Sequence, residues 1–162
     1  MATEALRNKA FQTVMRGFIE TGRSPHYTEL AASLGVSTDE ACEAQHEAAD
    51  HSLACWFAPE TDNVSSWAPF SNIANQHRIT IGGEQRWFGQ CGAESLAISL
   101  LFPGQEVTID SRCPSTAVPI KVRMKDGELL EATPPEAVVL VNQPFDTITT
   151  PFGKGQYSLA YS

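Results

Sequence analysis

Arg86-Trp87-Phe88-Gly89-Gln90-Cys91-Gly92-Ala93-Glu94-Ser95-Leu96 is the stretch on which the reading of this chain turns. Ahead of Gly89 the residues run as in a strand, and beyond Gly92 they run as in a helix. The junction sets a thiol, Cys91, and a carboxyl, Glu94, three residues apart. Positions i and i+3 share a face of a helix, so the two side chains can converge on a single ligand. Backbone N–H groups at a helix start favour an anion, which predicts an ionised, reactive cysteine. A carboxyl beside it can supply or accept the proton that thiolate chemistry needs. The plain alternative is a small buried cysteine with a solvated first-turn glutamate, and spacing alone favours that alternative.

Upstream, residues 77–81 and 84–88 alternate around Gly82-Gly83, which predicts a hairpin feeding the Cys91 turn. Downstream, a helix is expected over residues 92–101, stopped by Phe102-Pro103-Gly104. Strands are expected at 106–111 and 120–124, the second followed by a turn at Lys125-Asp126-Gly127. Residues 137–141, a continuous run of Ala, Val and Leu, read as a buried strand. The tail, 142–162, is not assigned.

Toward the N-terminus, Leu6, Ala10, Phe11, Val14, Met15 and Phe18 fall at helical spacing, with Gly22 as the stop. Thr28 and Ser37 read as N-caps of two further helices separated at Gly35, a helix-turn-helix pattern expected to continue as a winged helix. DNA binding is the sharp implication, and charge opposes it. The helix from Thr38 carries Asp39, Glu40, Glu43 and Glu47 without a Lys or Arg, and residues 1–76 hold four basic side chains against ten acidic. Such a surface repels phosphates, so the unit reads as structural. Cys42 with His46, and His51 with Cys55, are each four apart, so on helices each pair could face one metal. The simpler reading makes Cys42 a packing residue and the histidines solvated. Residues 58–76, rich in Pro, Asn, Ser and Asp, read as a linker or wing. The domain boundary is placed there, giving 1–66 as a winged-helix-like unit and 67–162 as the catalytic one.

Whole-chain composition narrows the class. With 162 residues, 42% hydrophobic and 19% charged, the chain can bury a core as one full domain or two small ones. A net charge of −8 argues against nucleic acid or an anionic membrane as partner and leaves a small molecule as the expected one. No run is long enough for a transmembrane helix, and the N-terminus has no basic-then-apolar signal pattern, so a cytoplasmic protein is expected. The four cysteines, Cys42, Cys55, Cys91 and Cys113, are scattered, with no CxxC pair. They are expected to be reduced thiols rather than a disulfide framework or a zinc ribbon.

A set of segments falls into a pattern: Pro69-Phe70-Ser71, His77-Arg78-Ile79, Trp87 through Leu96, Val107-Thr108-Ile109-Asp110-Ser111-Arg112-Cys113, Val118-Pro119-Ile120-Lys121-Val122, and Pro134-Pro135 leading into 137–141. Together, residues 68–141 resemble the alkylmercury lyase (organomercurial lyase) family. The resemblance implies an α+β fold, with a winged-helix-like domain ahead of a small mixed or antiparallel sheet whose helix carries the Cys-x-x-Glu. It also implies protonolysis of a carbon–mercury bond without a cofactor. Members hold mercury on a cysteine pair and use an acidic residue to deliver a proton to the departing carbon. By position, Cys91 matches the first catalytic cysteine and Glu94 stands where aspartate is usual, while Cys113 matches a cysteine whose role there is mainly structural. The second catalytic cysteine would fall near 145–155, where this chain has none, and Cys113 or Cys55 is left to complete the thiol pair. The expected catalytic residues are thus Cys91 and Glu94, with Cys91 and Cys113 as metal ligands toward mercury or copper. A lyase acting on an organomercurial or another small electrophile stands first. A non-catalytic metal- or ligand-binding protein on the same fold stands second.

Overall fold

Ala10, Val14 and Phe18 form the buried stripe of helix α1 (Glu4–Thr21) in the computed structural model, which describes residues 1–52, 54–141 and 157–160. Thr3 caps α1 by accepting the Leu6 N–H, and Gly22 ends it at φ 80°, in the left-handed region that a side chain resists. Helix α2 (Tyr27–Leu34) is capped by His26, not by Thr28 as the sequence suggested. The His26 Nδ1 accepts the Thr28 N–H at 3.3 Å, and the Glu29 carboxylate accepts the His26 N–H at 2.7 Å. Thr28 therefore lies inside the first turn. Helix α3 (Thr38–Asp50) starts at the expected Ser37, which forms a capping box with Glu40. It turns Ala41, Ala44, Gln45, Ala48 and Ala49 inward, and those small side chains let it pack closely on its neighbours.

The chain then builds one antiparallel sheet from β1 (Cys55–Phe57), β2 (Val64–Trp67), β3 (Phe70–Ser71), β4 (Arg78–Ile81), β5 (Glu84–Gly89), β6 (Glu106–Arg112), β7 (Pro119–Lys125) and β8 (Glu128–Thr133). Their order across the sheet is β1-β2-β3-β5-β4-β6-β7-β8. Helix α4 (Gly92–Ala97) and a 3-10 turn (Ile98–Leu101) connect β5 to β6, and β9 (Val138–Val141) pairs antiparallel with β10 (Tyr157–Ala160). Helices followed by an antiparallel sheet make the expected α+β class. The β4–β5 hairpin turns at Gly82-Gly83 as the alternation predicted. On β6, Val107, Ile109 and Ser111 face in, and on β7 Ile120, Val122 and Met124 do, the period of two expected of a half-buried sheet.

Three segments differ from their sequence reading. The stretch 58–76, read as a linker or wing, contains β2 and β3, which hydrogen-bond into the same sheet as the rest. All four residues of β2 are buried, so no alternation signalled it. Strand β8 was not anticipated because its residues, Glu128, Leu129, Leu130 and Glu131 among them, stay exposed along the sheet edge. The run at 137–141 is a strand, yet Val138 and Val139 are exposed rather than buried.

Aromatic contacts tie α1 to the sheet. The Phe18 ring stacks on Phe70 with centroids 5.3 Å apart, Phe11 meets Trp67 at 5.5 Å, and Trp87 Nε1 donates to the Phe18 carbonyl at 2.7 Å. One continuous apolar core therefore runs from the helices to β7. Among the described residues, no helix is long and apolar enough to cross a membrane.

Candidate active site

Strand β5 delivers Cys91. Gly89 closes the strand opposite Phe70 of β3, its N–H donates to the His77 carbonyl at 2.9 Å, and the Gln90 N–H donates to the Pro69 carbonyl at 2.9 Å. The chain can turn here because Gly89 has no side chain: a Cβ on it would lie 1.9 Å from Ser95 Oγ. That close approach seats α4 directly over the strand end. Ser95, fully buried, donates its hydroxyl to the Cys91 carbonyl at 2.6 Å and locks the first turn.

Cys91 is itself the N-cap of α4, with an extended backbone (φ −147°, ψ 176°). Its sulfur accepts the Glu94 N–H at 3.5 Å and lies 3.4 Å from Glu94 Oε2. The sequence spacing thus does bring thiol and carboxyl together, in a place only 9% exposed at Cys91. The expectation of a resting thiolate does not hold. Burial, and next the charge of Glu94, push the Cys91 thiol up to about 12, against a smaller downward pull from the Glu94 and Ala93 N–H groups. Six residues of helix supply too little field to overcome desolvation. Burial also raises the Glu94 carboxyl above its ordinary range. At neutral pH the sulfur therefore keeps its proton and directs it at Glu94. The two groups share a proton path with no solvent between them.

Cys55 opens β1 opposite Trp67. It is buried beside the Ala68 N–H and the Ser52 side chain, and burial pushes it up to about 11. The Glu94 charge adds to that rise, so Cys55 sits within the electrostatic reach of the same carboxylate. Gln90 Nε2 donates to the Ala54 carbonyl at 2.8 Å, stitching the residue before Cys55 to the residue before Cys91. Neither Gln90 nor this cross-link carries a sequence signal, because the two strands meet only through tertiary pairing.

Cys113 follows β6. Since β5 and β6 both run antiparallel to β4, they finish at the same end of the sheet, and Cys91 and Cys113 leave from that end. Cys113 is 2% exposed, and its backbone closes the following turn by accepting from Ala117 and donating to the Val118 carbonyl. Between the two strand ends lies His77, whose Nδ1 meets Ser111 Oγ at 2.9 Å. Burial depresses that imidazole to about 4, so it is a neutral packing element behind the site. The segment 145–155 lies outside the described residues.

Of the two Cys/His pairs at helical spacing, one dissolves. Helix α3 ends at Asp50, so His51 caps the helix while Cys55 belongs to a strand. The other pair, Cys42 and His46, stays on α3. A groove lined by Arg23, His26, Tyr27, Asp62 and Asn72 opens at the start of α2 and includes no thiol.

The family described as alkylmercury lyase (MerB) matches residues 70–150, a span that holds Cys91, Glu94 and Cys113 but not Cys55. A solved structure titled "Crystal structure of the mercury-bound form of MerB2" superposes with a TM-score of 0.71 at 22% identity, covering 98% of this chain and 76% of that one. No curated protein matches the sequence.

Proposed function

The chain belongs to the alkylmercury lyase family, and from that premise we propose that it cleaves carbon–mercury bonds by protonolysis, with Cys91 as the sulfur that takes mercury and Glu94 as the group that carries the proton. The observation that supports this reading is the 3.4 Å approach of Cys91 Sγ to Glu94 Oε2 in a buried site. A soft thiolate prefers a soft metal. As mercury bonds to sulfur, the thiol proton passes to Glu94, and the substrate's weak ligand leaves. Glu94 then gives that proton to the carbon bound to mercury. The carbon–mercury bond breaks with its electron pair on carbon, the hydrocarbon departs, and mercury(II) remains on sulfur. Burial favours the protonated carboxyl, so Glu94 is a better acid here than a solvated glutamate. The exchange needs no cofactor, because the proton supplied by the thiol is the one consumed at carbon.

Two thiolates labilise the carbon–mercury bond more than one. Cys55 is the partner we assign, since it lies within the electrostatic reach of the Glu94 carboxyl, and its proton leaves with the ligand displaced from mercury. Cys113, anchored in its own turn, is the weaker choice. A cytoplasmic setting, in which thiols stay reduced, suits this chemistry. The test is incubation of the protein with an organomercurial and excess small thiol, reading hydrocarbon in the headspace. The wild type releases it and Cys91→Ser does not. Mercury retained one to one by the wild type without hydrocarbon would sink the enzymatic reading in favour of a binding protein.

A further inference from the structure

Away from Cys91, a second group of ligand atoms comes together where α3 meets the segment between β1 and β2. Cys42 and His46, one turn apart on α3, face Asp62, and among the described residues their sulfur, ring nitrogen and carboxylate oxygen all lie within 4.8 Å of one another. His46 Nε2 is 2.8 Å from Asp62 Oδ1, and the Cys42 thiol also hydrogen-bonds to Asp62. The His46 ring is held in place by stacking on Phe57, with centroids 4.0 Å apart and planes 19° apart. Asp62 is brought up by a turn that the Ala58 N–H closes onto the Asn63 carbonyl at 2.8 Å.

We propose that Cys42, His46 and Asp62 form a zinc site, with three protein ligands and a water in the fourth position. The donor set fits the ion chemically. Thiolate, imidazole and carboxylate are the three ligand types zinc takes, and one thiolate with one carboxylate balances its double charge. It fits geometrically as well. Zinc–ligand bonds of about 2.0–2.3 Å put tetrahedral ligands about 3.3–3.7 Å apart. His46 and Asp62 must part by about half an ångström, and Cys42 must close by no more than about one. His46 and Asp62 are 41% and 52% exposed, so the fourth position opens to water and the ion can enter without unfolding. On binding, the Cys42 thiol gives its proton to solvent and the metal takes its place. The result is a clamp from helix α3 to the sheet-side segment, adding to the His46–Asp62 and Cys42–Asp62 hydrogen bonds and the His46–Phe57 stack. The inference stands apart from the Cys91 chemistry.

Cobalt(II) titration of the full chain tests it, because a thiolate–cobalt bond gives a charge-transfer absorption that imidazole and carboxylate do not. The wild type and Cys91→Ser each bind one equivalent with that absorption, zinc displaces the cobalt, and zinc raises the melting temperature. Cys42→Ser abolishes the absorption, and Asp62→Asn weakens binding at least tenfold. Circular dichroism checks that these half-exposed substitutions leave the fold intact. No charge-transfer absorption in the wild type, or an absorption that survives Cys42→Ser and vanishes in Cys91→Ser, overturns the proposal.

Discussion

Replacing Gly89 with alanine probes how tightly the strand end fixes the site. A Cβ at this position falls 1.9 Å from Ser95 Oγ, 3.0 Å from Ser95 Cβ and 3.3 Å from Ser95 Cα. The shortfall against an ordinary van der Waals separation exceeds about 1 Å at the hydroxyl. Ser95 is fully buried and holds the Cys91 carbonyl at 2.6 Å, so it cannot swing into solvent. The helix must lift or the hydrogen bond must break. Overpacking of this kind costs about 1–3 kcal/mol, and the lost buried hydrogen bond about 1 more. For a chain of this size the sum corresponds to a fall in melting temperature on the order of 10 °C. Lifting α4 by about an ångström also moves Glu94 relative to Cys91, which should cut hydrocarbon release on the order of a hundredfold. Gly89→Ala/Ser95→Gly removes the two closest contacts and should regain most of the lost melting temperature. A Gly89→Ala protein that melts like the wild type and turns over at the same rate would refute the reasoning, because α4 would then not rest on the strand.

Three more outcomes follow from the electrostatics. The Glu94 charge helps push the Cys91 thiol up to about 12, so Glu94→Gln should lower it and speed alkylation of Cys91 by iodoacetamide at mildly alkaline pH. Peptide mass spectrometry reads this residue by residue, and slower alkylation would contradict the assignment. His77 stays neutral in the folded protein down to about pH 4, while the unfolded chain takes its proton near 6.5. The unfolded state thus binds more protons between those values, and stability falls as pH drops through that window, by at most about 3 kcal/mol. Urea unfolding across the window should show the slope in the wild type and lose most of it in His77→Gln. Finally, Cys55→Ser should depress hydrocarbon release strongly while Cys113→Ser leaves it largely intact, and the reverse order would move the second thiol to Cys113.

How far the sequence carries depends on whether a feature is local. The periodicity of Ala10, Val14 and Phe18, the stops at Gly22 and Gly35, the Ser37 cap and the Gly82-Gly83 turn each act within a few residues, and each appears where the pattern put it. Cys91 and Glu94 meet for the same reason: one helical turn is enough. What escapes is set by distant chain. Strand β2 is buried on both faces under Phe11 and beside β1, so its short Val64-Ser65-Ser66-Trp67 run carries no alternation. The thiol's protonation is fixed by burial, which no spacing reveals. Asp62 joins Cys42 and His46 only because the β1–β2 connection folds back onto α3, sixteen residues beyond His46. Helical spacing alone also offered His51 with Cys55, and nothing in the pattern distinguished the pair that survives from the pair that does not.

The separation of mercury uptake from bond cleavage tests the central claim most directly. One equivalent of an organomercurial is mixed with Glu94→Gln, and bound mercury and released hydrocarbon are followed in the same sample. The account predicts that one equivalent of mercury is still taken up on Cys91, the thiol proton now passing to water, with hydrocarbon release slowed about a hundredfold or more, the usual loss when a positioned proton donor is removed. Release at the wild-type rate would show that the proton reaches carbon without Glu94, and the Cys91–Glu94 pair would not be the machinery.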